Sequence, residues 1–131
     1  MGLFDKIFGS GDKEPKEEKQ ALPWQELKTI EQLNSIAEGS KTKTQAIFKH
    51  STRCGISKMV FRNFESSFDL SENQVDLYYL DLLNYRDISS EISAKFQVLH
   101  ESPQFIVIRN EVAVHHASHS EITPQVLHQF I

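Results

Sequence analysis

Short apolar segments alternate along this sequence with amphipathic helical segments, and this alternation limits the possible folds more than any other feature. Residues 44–49 contain a compact apolar run, and residues 75–83 form a longer apolar and aromatic one; both runs are typical of buried strands. Between them, apolar side chains recur at intervals of three and four. This spacing predicts a helix that turns one stripe toward the core: Ile56, Met59, Val60, Phe64 and Phe68.

Two more helices are predicted from their start signals and periodicity. Thr29 with Gln32 three residues later forms a capping box, and Gly39 is expected to end that helix just beyond its last turn. Another helix is expected to start at Asn84 or Asp87, because apolar residues then share one face: Ile88, Ile92 and Phe96.

The last third of the chain predicts a hairpin followed by a helix. Residues 104–108 and 111–115 are short strand-like runs, and a tight turn is expected between them at Arg109-Asn110. Pro124 occupies the first position of a predicted final helix, where a proline is favoured because its missing N–H is not needed.

These elements follow the order strand, helix, strand, helix, strand, helix, strand, strand, helix, if a first strand lies near residue 25. Helical crossovers require parallel pairing in the first half, and the hairpin adds antiparallel strands. We therefore expect an α/β protein with a central four- or five-stranded mixed sheet and helices on both faces, which is the thioredoxin-like fold. Residues 1–20 are expected to form a flexible charged N-terminal segment, and residues 21–131 the domain.

Composition narrows the possible partners. The formal net charge is −4 over 131 residues, which disfavours nucleic acid as the main partner. The sequence has no apolar run long enough to span a membrane and no pattern of a secretory signal. We therefore expect a cytoplasmic protein without integral membrane association.

Cys54 is the only cysteine, which excludes an intramolecular disulfide, a pair of redox cysteines and a cysteine-built zinc site. A lone cysteine is often simply buried, so its neighbours must decide whether it reacts. Cys54 follows a predicted strand and is expected in the first turn of a helix, where free N–H groups and the helix dipole favour a thiolate. Arg53 and Lys49 add positive charge nearby.

Two further features support a reactive cysteine. Ser57 stands three residues after Cys54, where a redox pair would have its second thiol; its hydroxyl can bond to a thiolate but cannot form a disulfide. Ser102-Pro103 precedes a predicted strand, and thioredoxin-like folds have a cis-proline at this point, facing the nucleophile. The backbone of Ser102 is then expected to pair with an extended substrate. An ordinary trans-proline at the start of an edge strand is the alternative.

Three segments together resemble the monothiol bacilliredoxins, thioredoxin-like proteins of the bacillithiol system. They are HSTRCGISKMVFRNFE (residues 50–65), ESPQ (101–104) and ASHSEIT (117–123). The family commonly has T-C-P-I-S, where this chain has Arg53 and Gly55 in place of the threonine and proline. Cys54 and Ser57 are retained.

The resemblance implies a monothiol oxidoreductase that removes bacillithiol from S-thiolated cytosolic proteins through a mixed disulfide on Cys54. Bacillithiol is then a co-substrate, and no bound cofactor is expected. Because bacillithiol carries carboxylates, Arg53, Lys49 and Arg62 are candidates to hold it. His119 lies in a loop that approaches the cysteine in this fold, so we expect it to tune the thiolate or bind the small thiol.

Other sites are weaker. His115, His116 and His119 form an H-H-x-x-H pattern, but adjacent strand residues point to opposite faces, so we predict no metal site. Phe48 lies where thioredoxins have a buried acid six residues before the nucleophile, which disfavours a general dithiol reductase. Two other functions stay open: a non-catalytic thioredoxin-like module that binds peptides, and a sensor in which Cys54 is oxidised.

Overall fold

The computed structural model describes residues 22–131. Predictions for residues 1–20 lie outside this part of the chain. Its strands and helices, in chain order, are β1 (Gln25–Glu26), α1 (Ile30–Gly39), β2 (Thr44–His50), α2 (Gly55–Ser67), β3 (Val75–Asp81), α3 (Arg86–Phe96), β4 (Gln104–Arg109) and β5 (Val112–Ser118). Two 3-10 helices follow, at His119–Glu121 and Pro124–Gln129.

The five strands form one mixed sheet in the order β1-β3-β2-β4-β5. Strands β1, β3 and β2 are parallel, whereas β4 runs antiparallel to both β2 and β5. This confirms the predicted mixed sheet and the order of elements. The carboxyl ends of β2 and β3 and the start of β4 therefore meet at one edge of the sheet.

The sheet separates two apolar layers because side chains alternate along each strand. Ile47 points into the layer formed with α1 and α3, whose buried residues include Leu33, Ile36, Ile88 and Ile92. Phe48 points into the other layer, formed with α2 and the C-terminal 3-10 helix, whose buried residues include Val60, Phe64, Phe105 and Leu127. Successive side chains of β2 therefore point into opposite layers.

The capping box of α1 is confirmed: Thr29 Oγ1 accepts from the Gln32 N–H, and Gln32 Oε1 accepts from the Thr29 N–H. The predicted role of Gly39 is wrong, since Gly39 is the last helical residue and Ser40 is the C-cap. A Cβ atom on Gly39 would lie 3.3 Å from Gln45 Nε2, so the glycine makes room for a neighbouring side chain.

The predicted core stripe of α2 is only partly correct. Val60 and Phe64 are buried, but Ile56 is 55 % exposed and Met59 is 52 % exposed. No neighbouring element covers these two side chains in the first turns of α2 within residues 22–131. Two large apolar side chains therefore lie on the surface close to Cys54.

Three other local predictions differ from the structure. Helix α3 begins at Arg86, with Tyr85 as an N-cap that makes no side-chain cap hydrogen bond. The hairpin turn lies at Asn110-Glu111, where both residues have positive φ, because a register shift between Val107 and Ile108 sets the pairing. The C-terminal helix is a short 3-10 helix of six residues.

Candidate functional site

Two loops meet at the sheet edge where β2 ends and β4 begins. The register pairs Lys49 with Gln104, so His50 and Pro103 follow side by side at this edge. The Ser102–Pro103 peptide bond is cis, as expected from the sequence. Pro103 is buried and Ser102 is partly buried. The loop that carries Cys54 thus starts next to the prolyl turn.

The sequence predicted Cys54 within the first turn of α2. In the structure Cys54 is instead the N-cap residue, directly before that turn. Its φ of −100° and ψ of 123° are extended, and its carbonyl accepts the Lys58 N–H at 3.0 Å. The side chain is partly exposed, and the thiol is free. At this position the positive end of the helix dipole faces the side chain, which favours a negatively charged group.

The Ser57 hydroxyl does not bond to the sulfur, contrary to expectation. Ser57 is fully buried, and its Oγ lies 2.7 Å from His50 Nδ1. The same Oγ accepts the Ser51 N–H at 3.1 Å. If His50 Nδ1 carries its proton, Ser57 accepts both bonds and its own proton remains available. The tautomer of His50 therefore decides whether Ser57 can still donate toward the cysteine.

His50 is a functional candidate for which the sequence indicated no specific role. It is buried, and its ring stacks on Phe61 with centroids 4.9 Å apart. Burial lowers the pKa of His50 below its ordinary value; Asp81 opposes this shift and Lys58 adds to it. His50 is consequently neutral near pH 7. The sequence does indicate the position of His50, because side chains alternate along a strand. This alternation places His50 on the same face as Phe48 and hence toward α2.

Thioredoxins have a buried acid at the position that Phe48 occupies in this chain. Here the carboxylate near this edge of the sheet belongs to Asp81. Phe48 is buried among aromatic rings that include Trp24, Phe61, Phe64 and Phe105. Asp81 pairs with His50 in the sheet register. Its Oδ2 accepts from Asn84 Nδ2 at 2.8 Å, while its Oδ1 is buried without a hydrogen-bond partner.

The predicted cations occupy different surroundings. Arg53 is exposed and lines a cavity of about 320 Å³ together with Arg86, Thr52, Leu83 and Asn84. Arg62 is exposed on α2, eight residues beyond Cys54, so it lies about 12 Å away along the helix axis. Only Arg53 is therefore directly beside the cysteine.

The prediction that Lys49 adds charge beside Cys54 is wrong. Lys49 lies on the opposite face of β2 from His50 and is fully buried. Its Nζ lies 3.0 Å from His100 Nδ1 and 3.4 Å from Ser89 Oγ. Burial lowers the pKa of Lys49 from 10.5 to about 8, and Glu101 opposes that shift. The α3 side of the sheet therefore holds this cation.

His119 lies beside the prolyl turn, since its N–H donates to the Pro103 carbonyl at 3.3 Å. Its side chain is exposed, and its backbone has a φ of 55°. Neighbouring residues His115 and His116 lie on β5, which directs them to opposite faces. Within residues 22–131, no group of three or more His, Cys, Asp or Glu side chains is placed to hold a metal ion.

The site thus combines one partly exposed cysteine at a helix start, a buried serine–histidine pair and a neighbouring cis-proline. A single cysteine cannot close a disulfide within the chain. Thiol–disulfide exchange at this site must therefore proceed through a mixed disulfide with another molecule. None of the helices that residues 22–131 form is long and apolar enough to cross a bilayer.

Comparisons with known proteins agree with this geometry. A solved structure of a protein proposed to be an oxidoreductase with a thioredoxin fold is 34 % identical, with a TM-score of 0.67; the match covers 79 % of this chain and 89 % of that one. Thioredoxin from Trypanosoma brucei brucei is 23 % identical over 88 % of this chain and 93 % of its own, with a TM-score of 0.60. Malassezia sympodialis thioredoxin is 20 % identical over 86 % and 94 %, also with a TM-score of 0.60.

These likenesses confirm the thioredoxin-like fold. The family model described as "Monothiol bacilliredoxin BrxC" matches residues 25–127, a range that includes Cys54, Ser57 and Pro103. A redox function in thiol–disulfide chemistry follows from the family and the fold together. The chain therefore belongs to the monothiol bacilliredoxin family.

Proposed function

We propose that this protein removes bacillithiol from S-thiolated cytosolic proteins, using Cys54 as its nucleophile. The observation that carries the proposal is the partly exposed, lone cysteine at the N-cap of α2, with a buried serine three residues later. A cysteine in that second position would resolve the intermediate within the chain. With serine there, the small thiol stays on Cys54 until a second molecule removes it.

The chemistry is two thiol–disulfide exchanges. The Cys54 thiolate attacks the bacillithiol sulfur of the protein mixed disulfide; a new S–S bond forms, and the substrate protein leaves as a thiolate. A second bacillithiol thiolate then attacks the adduct, regenerates the Cys54 thiolate and leaves as bacillithiol disulfide. The substrate protein is reduced by two electrons, and two bacillithiol molecules are oxidised to their disulfide. The scheme uses no bound cofactor.

Ser57 and His50 support this scheme as positioning residues. The buried Ser57 hydroxyl accepts from the Ser51 N–H, which fixes the loop immediately before Cys54. A neutral His50 with its proton on Nδ1 donates to Ser57 Oγ, and the Ser57 proton is then free to turn toward the thiolate. Serine thereby contributes polarity beneath the nucleophile without providing a second sulfur.

The surface around Cys54 suits a protein substrate. Ile56 and Met59 lie in the first two turns of the helix that starts after Cys54, and each residue is more than half exposed. Apolar surface of this kind favours contact with a polypeptide next to the mixed disulfide. The backbone of Ser102, in the prolyl turn next to the start of the cysteine loop, is the proposed partner for an extended substrate segment. Arg53 is the proposed contact for a carboxylate of the small thiol.

The test uses a model protein whose cysteine has been S-bacillithiolated in advance. It is incubated with wild-type protein, with Cys54→Ala and with Ser57→Cys, and intact masses are followed over time. Wild type should free the model protein and carry the bacillithiol mass on Cys54. Cys54→Ala should do neither. Ser57→Cys should free the model protein but accumulate an internal disulfide in place of the adduct.

Three outcomes would contradict the proposal. Equal loss of the adduct with wild type and Cys54→Ala would mean that the cysteine is not the nucleophile. No transfer at all, together with tight binding of the model protein by both forms, would indicate the non-catalytic binding module. Oxidation of Cys54 by peroxide in the absence of any transfer would indicate the sensor.

A further inference from the structure

A second cavity lies on the α3 side of the sheet edge, away from the face that carries α2. Its volume is about 500 Å³, and its walls include Arg86, Ser89, Ser90, Ser93 and His100. The walls thus combine one exposed guanidinium, three hydroxyl groups and an imidazole. Ser93 Oγ is buried without a hydrogen-bond partner. These groups are rich in donors, and the walls contain no carboxylate.

Lys49 stands directly behind this cavity. Its ammonium bonds to Ser89 and His100, both of which line the cavity. Among residues 22–131 no carboxylate lies within salt-bridge distance of Lys49, although Glu101 is close enough to act on it through its charge. Burying a cation without a paired anion is costly, so the fold has a site where an incoming anion would be stabilised.

Arg86 lies between this cavity and the loop that carries Cys54. It lines both the 500 Å³ cavity and the 320 Å³ cavity that contains Arg53. Arg53 is the residue directly before Cys54. The guanidinium groups of Arg53 and Arg86 therefore lie between the loop of Cys54 and the cavity that His100 lines.

We propose that this cavity holds the acidic end of the small thiol that reacts at Cys54, with Arg86 as its direct anion contact and Lys49 as a buried charge behind it. The inference rests on the proposed function, and it makes the co-substrate an extended thiol bearing carboxylate or phosphate groups. Arg86 donates from the surface, while Lys49 acts from behind through Ser89 and His100. A compact neutral thiol gains nothing from these groups.

The experiment measures how fast Cys54 attacks three symmetrical disulfides, by intact mass. Bacillithiol disulfide carries carboxylates, coenzyme A disulfide carries phosphates, and 2-hydroxyethyl disulfide is neutral. The variants are Arg86→Gln, on the surface, and Lys49→Met, which keeps the length of the buried chain. Lys95→Gln, at the other end of α3, is the matched control. Each rate for an acidic disulfide is divided by the rate for the neutral one.

Wild type should prefer one acidic disulfide, and the one preferred identifies carboxylate or phosphate as the group bound. Arg86→Gln should reduce that preference about tenfold, the effect of losing one charge-assisted hydrogen bond. Lys49→Met should reduce it several-fold, because the charge behind the cavity is lost. Lys95→Gln should keep it. An unchanged preference in both variants would overturn the inference while leaving the proposed function intact.

The proposed function can also fail by itself, if no disulfide forms an adduct at Cys54. The anion site is then judged by titrating the protein with L-malate and inorganic phosphate while the His100 imidazole is followed by NMR. A saturable shift that is lost in Arg86→Gln supports the site. The absence of any shift at His100 overturns it.

Discussion

Replacing Lys49 by methionine should change the pH dependence of stability in a way that follows from its burial. Lys49 is fully buried, and its pKa falls from 10.5 to about 8. The folded chain therefore holds this proton less tightly than the unfolded chain by about 3 kcal/mol. That penalty is fully present below pH 8 and disappears as pH rises through 10.5, since the lysine is then neutral in both states.

Methionine has a similar length and no charge, so Lys49→Met removes the penalty. It also loses hydrogen bonds to His100 and Ser89, each contributing about 1 kcal/mol. At pH 7 the variant should therefore be more stable than wild type by about 1 to 2 kcal/mol. Between pH 7 and pH 10 the wild type should recover about 2 to 3 kcal/mol relative to the variant.

The assay is urea denaturation of both proteins at half-unit steps from pH 7 to pH 10. Lys58→Met, which changes an exposed lysine on α2, controls for the substitution itself and should differ from wild type by a constant amount. A stability difference between wild type and Lys49→Met that stays flat within about 0.5 kcal/mol would refute the reasoning. It would mean that Lys49 is not desolvated in the folded chain.

Three other predictions concern the cysteine loop. Ser57→Ala leaves the Ser51 N–H and the His50 ring without their buried partner, so it should lower the free energy of unfolding by about 1 to 3 kcal/mol in denaturant titrations. An unchanged denaturant concentration at half unfolding would contradict this. Gly55→Pro should raise the free energy of unfolding by about 0.5 to 1 kcal/mol, because Gly55 is the first helical residue, the space at its Cβ is open and the preceding residue is already extended. Gly55→Ala is the control, and a destabilised proline variant would show that the ring clashes. Met59→Gln should raise KM several-fold for the S-bacillithiolated model protein and leave the rate with bacillithiol disulfide unchanged, because Met59 is exposed on the helix that starts after Cys54. Equal losses with both substrates would argue against a protein-binding surface.

Much of the fold could be predicted because local signals agreed with each other. The apolar periodicity of 56–68, the capping box at Thr29 and the dense apolar run from residue 75 each identify one element. Their order then leaves few sheet topologies, since parallel strands require helical crossovers. Boundaries were less certain: the turn at Asn110-Glu111 is fixed by strand register, which no local propensity records.

The site was predictable only where a single residue type determines the chemistry. One cysteine excludes an internal disulfide, and a serine cannot resolve a mixed disulfide, whatever the structure around them. The partner of Ser57 was not predictable. Its hydroxyl bonds to His50, seven residues away, because the end of β2 and the first turn of α2 are folded against each other.

The sequence by itself determined the order of strands and helices, the lone nucleophile and the hydroxyl that replaces a second thiol, because these depend on residue identity and local spacing. Only the tertiary structure decided that Lys49 lies behind the α3 cavity, that Ile56 and Met59 stay on the surface, and that Arg86 lines two cavities. Those facts depend on which helix covers each face of the sheet. Packing between elements distant in the chain settles this, and no local pattern encodes it.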